Sequence, residues 1–389
     1  MEKEDANKTV MNNFTFNRFI STLPPSFDYF IAFYMIILIL LTVLLNGLLL
    51  IANWRKRKNL STFDICLINM SISGIIPAIF SYPLLVYSSI NHGWAFGVSA
   101  CKRDGFVVFF FAVVQIATLM LMSILRYLKV CHPIKDNILN QNHVIGFVFL
   151  TYVYSAIWTL GPLIGWASYG IEPWKLTCSI DWTNITTSYL ICCFVACYLL
   201  PLLCIIGFYS RITIVVGNFY RSRRVLSHRD RNRYDQHMLK LTVGMSSAFF
   251  LAWTPYAIVS FMSSLNMQTI SIAATPIPAI FAKSSTVYNP IVYYLMIQRF
   301  RDEIWQLLCS FRLSKKKVGG KSVEEMRQEQ DEMKGIMLEL LKDVKEMKRG
   351  MAISSTDSDV KKSSSSHIAY KNLATEDDPT ICTQVCSTL

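Results

Sequence analysis

Charged residues are scarce in this chain of 389 residues, in which Asp, Glu, Lys and Arg together make up only 16%. Soluble domains ordinarily carry about 25% charged residues. Here 52% of the residues are hydrophobic, and the mean hydropathy is +0.35. This composition excludes a soluble protein of two or three domains and indicates a membrane protein.

The patterns of common enzyme sites are missing as well. The six His residues are scattered without the spacing of metal ligands, no glycine-rich loop follows a strand, and strand periodicity is lacking. We therefore expect neither an enzyme nor a metal site. We also expect no cleavable signal peptide, because residues 1–26 are polar and the first apolar run is long enough to span a bilayer. We expect the first span to direct its own insertion.

Apolar runs of about 20 residues, the length that a bilayer requires, occur seven times. They are Phe27–Asn53, Thr62–Ser89, Ser99–Val130, His143–Ala167, Thr186–Val216, Met238–Ser264 and Ile272–Leu295. The runs predict an all-α membrane protein with a seven-transmembrane-helix bundle over residues 27–297. A short amphipathic helix on the inner surface is expected at residues 298–310.

Basic residues lie at one end of the predicted spans. Lys and Arg are retained in cytoplasmic loops, and here they cluster after the first span, before the sixth and after the seventh. Residues 1–26 are therefore predicted to be extracellular and residues 311–389 to be cytoplasmic. We expect the protein to lie in the plasma membrane. This placement accounts for the net charge of +12 better than binding of nucleic acid does. Three glycosylation tripeptides on the predicted outer side agree, at Asn7, Asn13 and Asn184.

Most of the eleven cysteines lie within spans, where Cys behaves as a small apolar residue. Cys101 and Cys178 differ, because both lie on the outer side, in the oxidising compartment. We expect a disulfide between them, which would fold the second outer loop over the mouth of the bundle. Cys309 follows the amphipathic segment and is a candidate for palmitoylation.

Lys283 lies in the middle of the seventh run. A Lys at mid-membrane costs roughly 2.5–3.5 kcal/mol and is too far from the run's ends to place its amine in water. One interpretation is a structural Lys bonded to polar neighbours. The other is a nucleophilic amine that forms a Schiff base with an aldehyde.

Motifs in six of the spans resemble those of the rhodopsin-like G-protein-coupled receptors, over roughly Phe27 to Cys309. They are Asn46, Arg126-Tyr127, Trp158, Pro201 with Tyr209, Trp253-Thr254-Pro255-Tyr256, and Asn289-Pro290-Ile291-Val292-Tyr293 followed by Phe300. Within that class, a Lys six residues before the Asn of the last motif marks the opsins, and Lys283 stands six before Asn289.

The sequence is similar to the non-visual, neuropsin-like opsins through residues 177–182, 109–111 and 282–285. The resemblance implies retinal, in its 11-cis or all-trans form, bound to Lys283 as a Schiff base. It also implies light-driven activation of a heterotrimeric G protein.

A protonated Schiff base needs a buried anion, and two carboxylates match counterion positions of opsins. Asp104 follows Cys101 by three residues, and Glu172 precedes Cys178 by six. We predict that Asp104 is the counterion in the dark pigment, with Glu172 as the alternative. A carboxylate at a wet helix end, or one exposed in a loop, is the competing interpretation. Neuropsin-like opsins typically have Tyr where Asp104 stands, so this chain departs from that group.

Phe249, Trp253 and Tyr256 recur at helical spacing along the sixth span. Spacing alone favours plain packing, whereas the resemblance implies that these rings line the chromophore. Pro255 is expected to kink the span. Movement of the inner end of this span would follow isomerisation.

The inner face departs from the receptor pattern twice. Leu125 stands where most members have an acid before Arg126, so we predict that Asp235 is the remaining latch on Arg126, a solvated loop charge being the alternative. Gly74 replaces the usual sodium-binding Asp, and Gln115 and Asn289 are expected to fill the polar gap. The positions that the resemblance assigns to the switch are Arg126, Asp235, Tyr209, Asn289, Pro290 and Tyr293.

The tail is predicted to contain a heptad-like helix at residues 323–347. This helix would either lie alone on membrane lipid, as an amphipathic helix, or make a short coiled-coil contact with a partner. Beyond it, Ser and Thr residues are candidate sites for a receptor kinase and for arrestin recruitment. The last three residues, Ser387-Thr388-Leu389, suit a PDZ domain.

Three functions remain open at this point. The first is a light-activated receptor that couples to a G protein. The second is a retinal photoisomerase with weak signalling, and the third is a receptor for a diffusible ligand.

Overall fold

The computed structural model describes residues 19–132, 140–181, 186–221, 229–264, 275–298, 300–302, 304 and 335, without the side chains of residues 219–221, 229–235 and 263–264. The chain divides into two units, Met1–Leu308 and Cys309–Leu389. Cys309, the heptad segment, the Ser and Thr residues of the tail and the terminal tripeptide all lie outside the described residues. The same holds for Asn7, Asn13 and Asn184.

The first unit is helical throughout most of its described length. Its helices are α1 (Pro25–Arg55), α2 (Thr62–Phe80), α3 (Tyr82–Ile90), α4 (Gly97–Cys131), α5 (Gln141–Thr159), α6 (Thr187–Phe194), α7 (Leu200–Arg221), α8 (Arg229–Ser264), α9 (Pro276–Lys283) and α10 (Ser285–Met296). Six helical stretches of the described residues are long and apolar enough to cross a membrane. The seventh crossing consists of α9 and α10 in succession, so the predicted seven-helix membrane bundle is confirmed.

Apolar side chains cover the outside of the bundle and polar side chains lie within it. Phe33 is 65% exposed and Leu40 is 64% exposed, whereas Asn46 and Gln115 are buried. A soluble monomer does not leave so large an apolar surface in water. The outward faces therefore contact lipid, as expected for a multi-pass membrane protein.

The second crossing was predicted as one run, but it is broken at Ser81. It begins with a capping box at Ser61 and Asp64, in which each side chain accepts a hydrogen bond from the other's backbone N–H. Pro77 lies inside α2, and Pro83, the second residue of α3, has no N–H to donate to the preceding turn. The break sets the direction in which Tyr82 enters the bundle.

The seventh crossing is broken directly after Lys283. The N–H of Val287 donates to the carbonyl of Ser284 over 3.1 Å, which is a tighter turn than an α-helix makes. The description of this crossing begins at Thr275, which caps α9, so the start of the predicted run at Ile272 lies outside the described residues.

Three other helix boundaries differ from the predicted spans for local reasons. α5 ends at Thr159 because Gly161 and Pro162 form a short 3₁₀ turn. A π-helical turn, Val195–Leu199, precedes Pro201, whose missing N–H interrupts the helical hydrogen bonds. α8 begins at Arg229, well before the apolar run, because hydropathy does not detect a polar extension of a helix.

The second outer loop forms a hairpin of β1 (Tyr169–Ile171) and β2 (Cys178–Ile180), antiparallel, with Ile171 paired to Cys178. The predicted disulfide joins Cys178 to Cys101 of α4. Gly105 permits the close approach of the hairpin, because a Cβ there would lie 2.9 Å from Tyr169 Cδ1 and 3.2 Å from the carbonyl oxygen of Ser179. The hairpin is thereby held against α4.

Candidate functional site

A cavity of about 170 Å³ lies inside the bundle, beneath the hairpin. Its walls are mostly apolar and come from α4, the fifth crossing, α8 and α9. Lys283 enters from α9 and Glu172 from the hairpin. The rings of Phe249, Trp253 and Tyr256 also line it. Four sequence-predicted site residues of the sixth and seventh crossings thus line one cavity.

The Lys283 side chain is buried, with the residue only 7% exposed. It interacts electrostatically with two carboxylates, Asp104 and then, more weakly, Glu172. Its amine also lies over the ring of Tyr82, 5.7 Å from the centroid. This is an environment for a buried cation that faces two anions.

Glu172 is 3% exposed, although it lies in a loop. Its Oε1 accepts a hydrogen bond of 2.7 Å from the hydroxyl of Tyr256, which ties the hairpin to α8. Burial raises the pKa of the Glu172 carboxyl above its usual value, although the nearby Ser179 hydroxyl, the hydrogen bond from Tyr256 and the positive charge of Lys283 act in the opposite direction. Its Oε2 is buried and, among the described residues, has no hydrogen-bond partner.

Asp104 is 4% exposed and lies beside the cavity, outside its lining. Its Oδ2 accepts a hydrogen bond of 3.4 Å from the hydroxyl of Thr177. Its Oδ1 is buried, with no hydrogen-bond partner in the part of the chain that the structure describes. A wet helix end and an exposed loop are therefore not the environments of these two carboxylates.

The aromatic residues of α8 form one continuous group. Phe249 stacks on Trp253 with centroids 5.9 Å apart, and Tyr256 meets Trp253 edge-on at 6.1 Å. The indole N–H of Trp253 donates to the Ser285 hydroxyl over 2.9 Å. Ser285 begins α10, two residues after Lys283, so this bond links the sixth and seventh crossings next to the amine.

Sequence reasoning missed several residues of this site. Tyr82 lies far from its partner in sequence and belongs to no motif that we recognised. Ser285 falls within the segment 282–285 that resembles opsins, but that resemblance gave it no partner in the sixth crossing. Two cysteines of the fifth crossing, Cys193 and Cys197, face the cavity together with Tyr198. Their spacing of four residues within an apolar run was the available signal, and we had interpreted them as packing.

At the inner end of the bundle, Arg126 is buried and its guanidinium lies 5.4 Å from the ring centroid of Phe63. Phe63 stacks on Tyr293 at 6.4 Å, and Tyr293 meets Phe300 at 4.8 Å. Leu125 packs in the apolar core. The backbone of Asp235 belongs to α8, but its side chain lies outside the described ones, so the predicted latch stays a prediction.

The polar centre of the bundle surrounds Gly74. The Asn46 amide donates to the carbonyls of Thr42 and Thr286 over 2.9 and 3.0 Å. A Cβ at Gly74 would lie 3.4 Å from Gln115 Nε2. Asn289 is buried, and its Oδ1 has no hydrogen-bond partner among the described residues. The uncharged amides of Gln115 and Asn46 therefore lie next to the glycine, and Asn289 is not among its three nearest neighbours.

Comparisons with known proteins agree on one family. The family model described as "7 transmembrane receptor (rhodopsin family)" matches residues 45–293. Opsin-5 of Mus musculus is 29% identical over 293 residues, which are 72% of this chain and 77% of that protein. "Rhodopsin, G0-coupled" of Mizuhopecten yessoensis is 30% identical over 300 residues, 74% of each chain.

The solved structure of squid rhodopsin has the same fold. It is similar with a TM-score of 0.68 and 23% sequence identity, and the match covers 80% of this chain and 91% of that one.

Proposed function

We propose a function that follows from the family of this chain, which belongs to the rhodopsin family of seven-transmembrane receptors and within it to the non-visual, neuropsin-like opsins. In this proposal the protein binds retinal at Lys283 and activates a heterotrimeric G protein in response to light. The family membership makes it a light-sensing receptor. The attachment site and the coupling are our proposals.

One observation supports the attachment site above all others. Lys283 places a buried amine in an apolar cavity, within the electrostatic reach of two buried carboxylates. A buried Lys without such a partner would be strongly unfavourable. The arrangement suits a ligand with an aldehyde end and a long apolar body.

The residues present fit retinal at its two chemically different parts. The aromatic walls formed by Phe249, Trp253 and Tyr256 suit a polyene. The unpartnered Asp104 Oδ1 and Glu172 Oε2 suit a positively charged linkage. When bound as a Schiff base, retinal supplies light absorption and isomerisation.

The side chains around Lys283 then have separate tasks. We assign Asp104 the role of main counterion, because its carboxylate interacts with Lys283 and its buried Oδ1 has no hydrogen-bond partner among the described residues. Glu172 is assigned a secondary role, since its Oε1 is already bonded to Tyr256. The apolar walls and the disulfide-bonded hairpin exclude water from the amine.

Signalling requires that a change in the cavity reach the inner face. Trp253 lies in the cavity wall two residues before Pro255, where α8 is able to bend. Arg126, Phe63 and Tyr293 form a contiguous group at the inner end, to which α10 contributes Tyr293. In our proposal, movement of α8 and α10 releases Arg126 for the G protein.

Several further features belong to the proposal. A receptor kinase and arrestin would act on the Ser and Thr residues of the tail, and a PDZ protein on its last three residues. Cys309 would carry a palmitate, and Asn7, Asn13 and Asn184 would be glycosylated on the extracellular side of the plasma membrane. The relative from Mizuhopecten yessoensis, which is named as G0-coupled, supports coupling to a G protein.

A retinal photoisomerase with weak signalling is the second candidate. Leu125 favours it, because this side chain gives Arg126 no neighbouring carboxylate and instead packs in the core. Gly74 favours it as well, because the polar centre lacks the usual acid. A receptor for a diffusible ligand is a weaker candidate, since the family comparisons are to opsins.

Spectra of the purified full chain test the attachment site. We expect that the protein incubated with 11-cis or all-trans retinal gains an absorption band that changes on illumination, and that Lys283→Ala lacks the band. An unchanged band in Lys283→Ala would contradict the attachment site. Light-dependent nucleotide exchange on a panel of G proteins then separates the receptor from the photoisomerase, which would isomerise retinal without exchange.

A further inference from the structure

We infer that Tyr82 is a positioning residue for the Lys283 amine. Its hydroxyl holds the backbone carbonyl of Lys283, and its ring stabilises the positive charge of the Lys283 amine. The functional role of Tyr82 rests on the proposed attachment of retinal at Lys283. The contacts of Tyr82 with Lys283 exist without retinal. Tyr82 lies on the second crossing, far from Lys283 in sequence.

The first contact arises from the break in the seventh crossing. The Val287 N–H donates to the Ser284 carbonyl, so the backbone changes its hydrogen bonding next to Lys283. The Lys283 carbonyl accepts hydrogen bonds from the hydroxyls of Tyr82 and Thr286, each 3.1 Å long. Tyr82 thus fixes the backbone from which the Lys283 side chain starts.

The second contact is between the amine and the ring. Lys283 Nζ lies 5.7 Å from the centroid of Tyr82, within the distance of about 6 Å at which a cation and an aromatic ring attract each other. Tyr82 is 3% exposed and Lys283 is 7% exposed, so water screens the contact little. The uncharged ring of Tyr82 therefore stabilises the Lys283 ammonium group in addition to the two carboxylates.

The two breaks explain why these residues meet. Tyr82 is the first residue of α3, directly after the break at Ser81, and Lys283 is the last residue of α9, directly before Ser284. The hydroxyl of Tyr82 and the carbonyl of Lys283 therefore meet where each crossing is broken. The effect on a bound pigment follows from the location of the charge: a ring near the nitrogen favours the ground state, in which the positive charge is concentrated there.

The test measures the Lys283 amine in the full-length apoprotein, without retinal. Formaldehyde and cyanoborohydride methylate neutral amines, and mass spectrometry of the peptide containing Lys283 gives the rate as a function of pH. Loss of the ring should lower the midpoint of this pH profile by about 0.5 to 1 unit, which is about three- to tenfold in the ratio of charged to neutral amine. A change in access alone would alter the plateau rate and leave the midpoint in place.

The variants separate ring from hydroxyl. Tyr82→Phe keeps the ring and should keep the wild-type midpoint, whereas Tyr82→Leu should shift it. Tyr87→Leu is the matched control, because it removes a ring of the same helix as Tyr82 that packs on Phe96, and its midpoint should stay at the wild-type value. If Tyr82→Leu does not fold, phenylalanines at position 82 with increasing ring fluorination keep the shape and should lower the midpoint step by step.

Two outcomes would overturn the inference. One is an unchanged midpoint in Tyr82→Leu or across the fluorinated series. The other is an equal shift in Tyr82→Phe, which would assign the effect to the hydroxyl alone. Since no retinal is present, neither outcome affects the proposed function, and a failure to bind retinal in a separate sample would leave the Tyr82 result standing. In the retinal-loaded protein, Tyr82→Leu should shift the visible band to longer wavelength.

Discussion

The substitution Asp104→Asn tests the assignment of the counterion. It replaces a buried carboxylate that interacts with Lys283 more strongly than Glu172 does by a neutral group of nearly the same shape. Removing one partner of a buried ion pair costs about 3–5 kcal/mol, and 1.36 kcal/mol corresponds to about one pH unit. We therefore expect the titration midpoint of the visible band to fall by about 2 to 4 pH units.

The assay is a dark acid–base titration of the purified pigment, followed by absorption spectroscopy. Asp104→Glu is the control, because it keeps a carboxylate and should keep most of the visible band at neutral pH. Glu172→Gln should move the midpoint less, since Glu172 Oε1 is already bonded to the Tyr256 hydroxyl. If Asp104→Asn leaves the band and its titration unchanged while Glu172→Gln abolishes the band, the two assignments are reversed.

Four other predictions follow from the structure. Burial raises the pKa of Glu172. Its contribution to the free energy of unfolding is therefore complete below the unfolded-state pKa and is lost as pH rises through the folded-state pKa. In Glu172→Gln, the Tm of the apoprotein should depend less on pH in that window. Phe63→Leu removes the ring beside Arg126 and should raise dark nucleotide exchange about two- to fivefold; unchanged exchange would contradict a restraining role. Asp235→Asn should also raise dark exchange, and an unchanged rate would refute the latch. Gly105→Val should destabilise the protein by about 1–3 kcal/mol, seen as a lower Tm, because its Cβ would crowd Tyr169 and Ser179.

The helical bundle was predictable from the sequence because a bilayer admits few other structures. Backbone groups in lipid must be paired within each segment, so long apolar runs such as the one that contains Asn46 become helices. The outer disulfide was predictable for a similar reason, since Cys101 and Cys178 share the oxidising side. Both predictions depend on the surroundings of the chain more than on its tertiary contacts.

The breaks at Ser81 and Ser284 were not predictable from apolar runs. They depend on local backbone geometry. At the break after Lys283, the carbonyl of Lys283 also accepts a hydrogen bond from the hydroxyl of Tyr82, which lies 201 positions away in another crossing. Hydropathy does not register such a contact, because a buried hydroxyl changes the average of a run very little. The contact of the Lys283 amine with Tyr82 follows from the same two breaks.

The candidate site was predictable in its residue types but not in its arrangement. Counting residues along helices places Asp104 nearer the outer surface than Lys283, and only the tilt of the crossings decides how they interact. Glu172 lies in a loop, for which an exposed carboxylate is the ordinary expectation. Its burial depends on the hairpin pairing and on the bond to the Tyr256 hydroxyl.

The most direct test of the account is chemical trapping of the ligand on the purified protein. After incubation with retinal and reduction with borohydride, we expect mass spectrometry to locate a stable retinyl group on the peptide that contains Lys283, and Lys283→Arg to carry none. A retinyl group on another lysine, or no covalent product on a protein that is otherwise folded, would contradict the central claim.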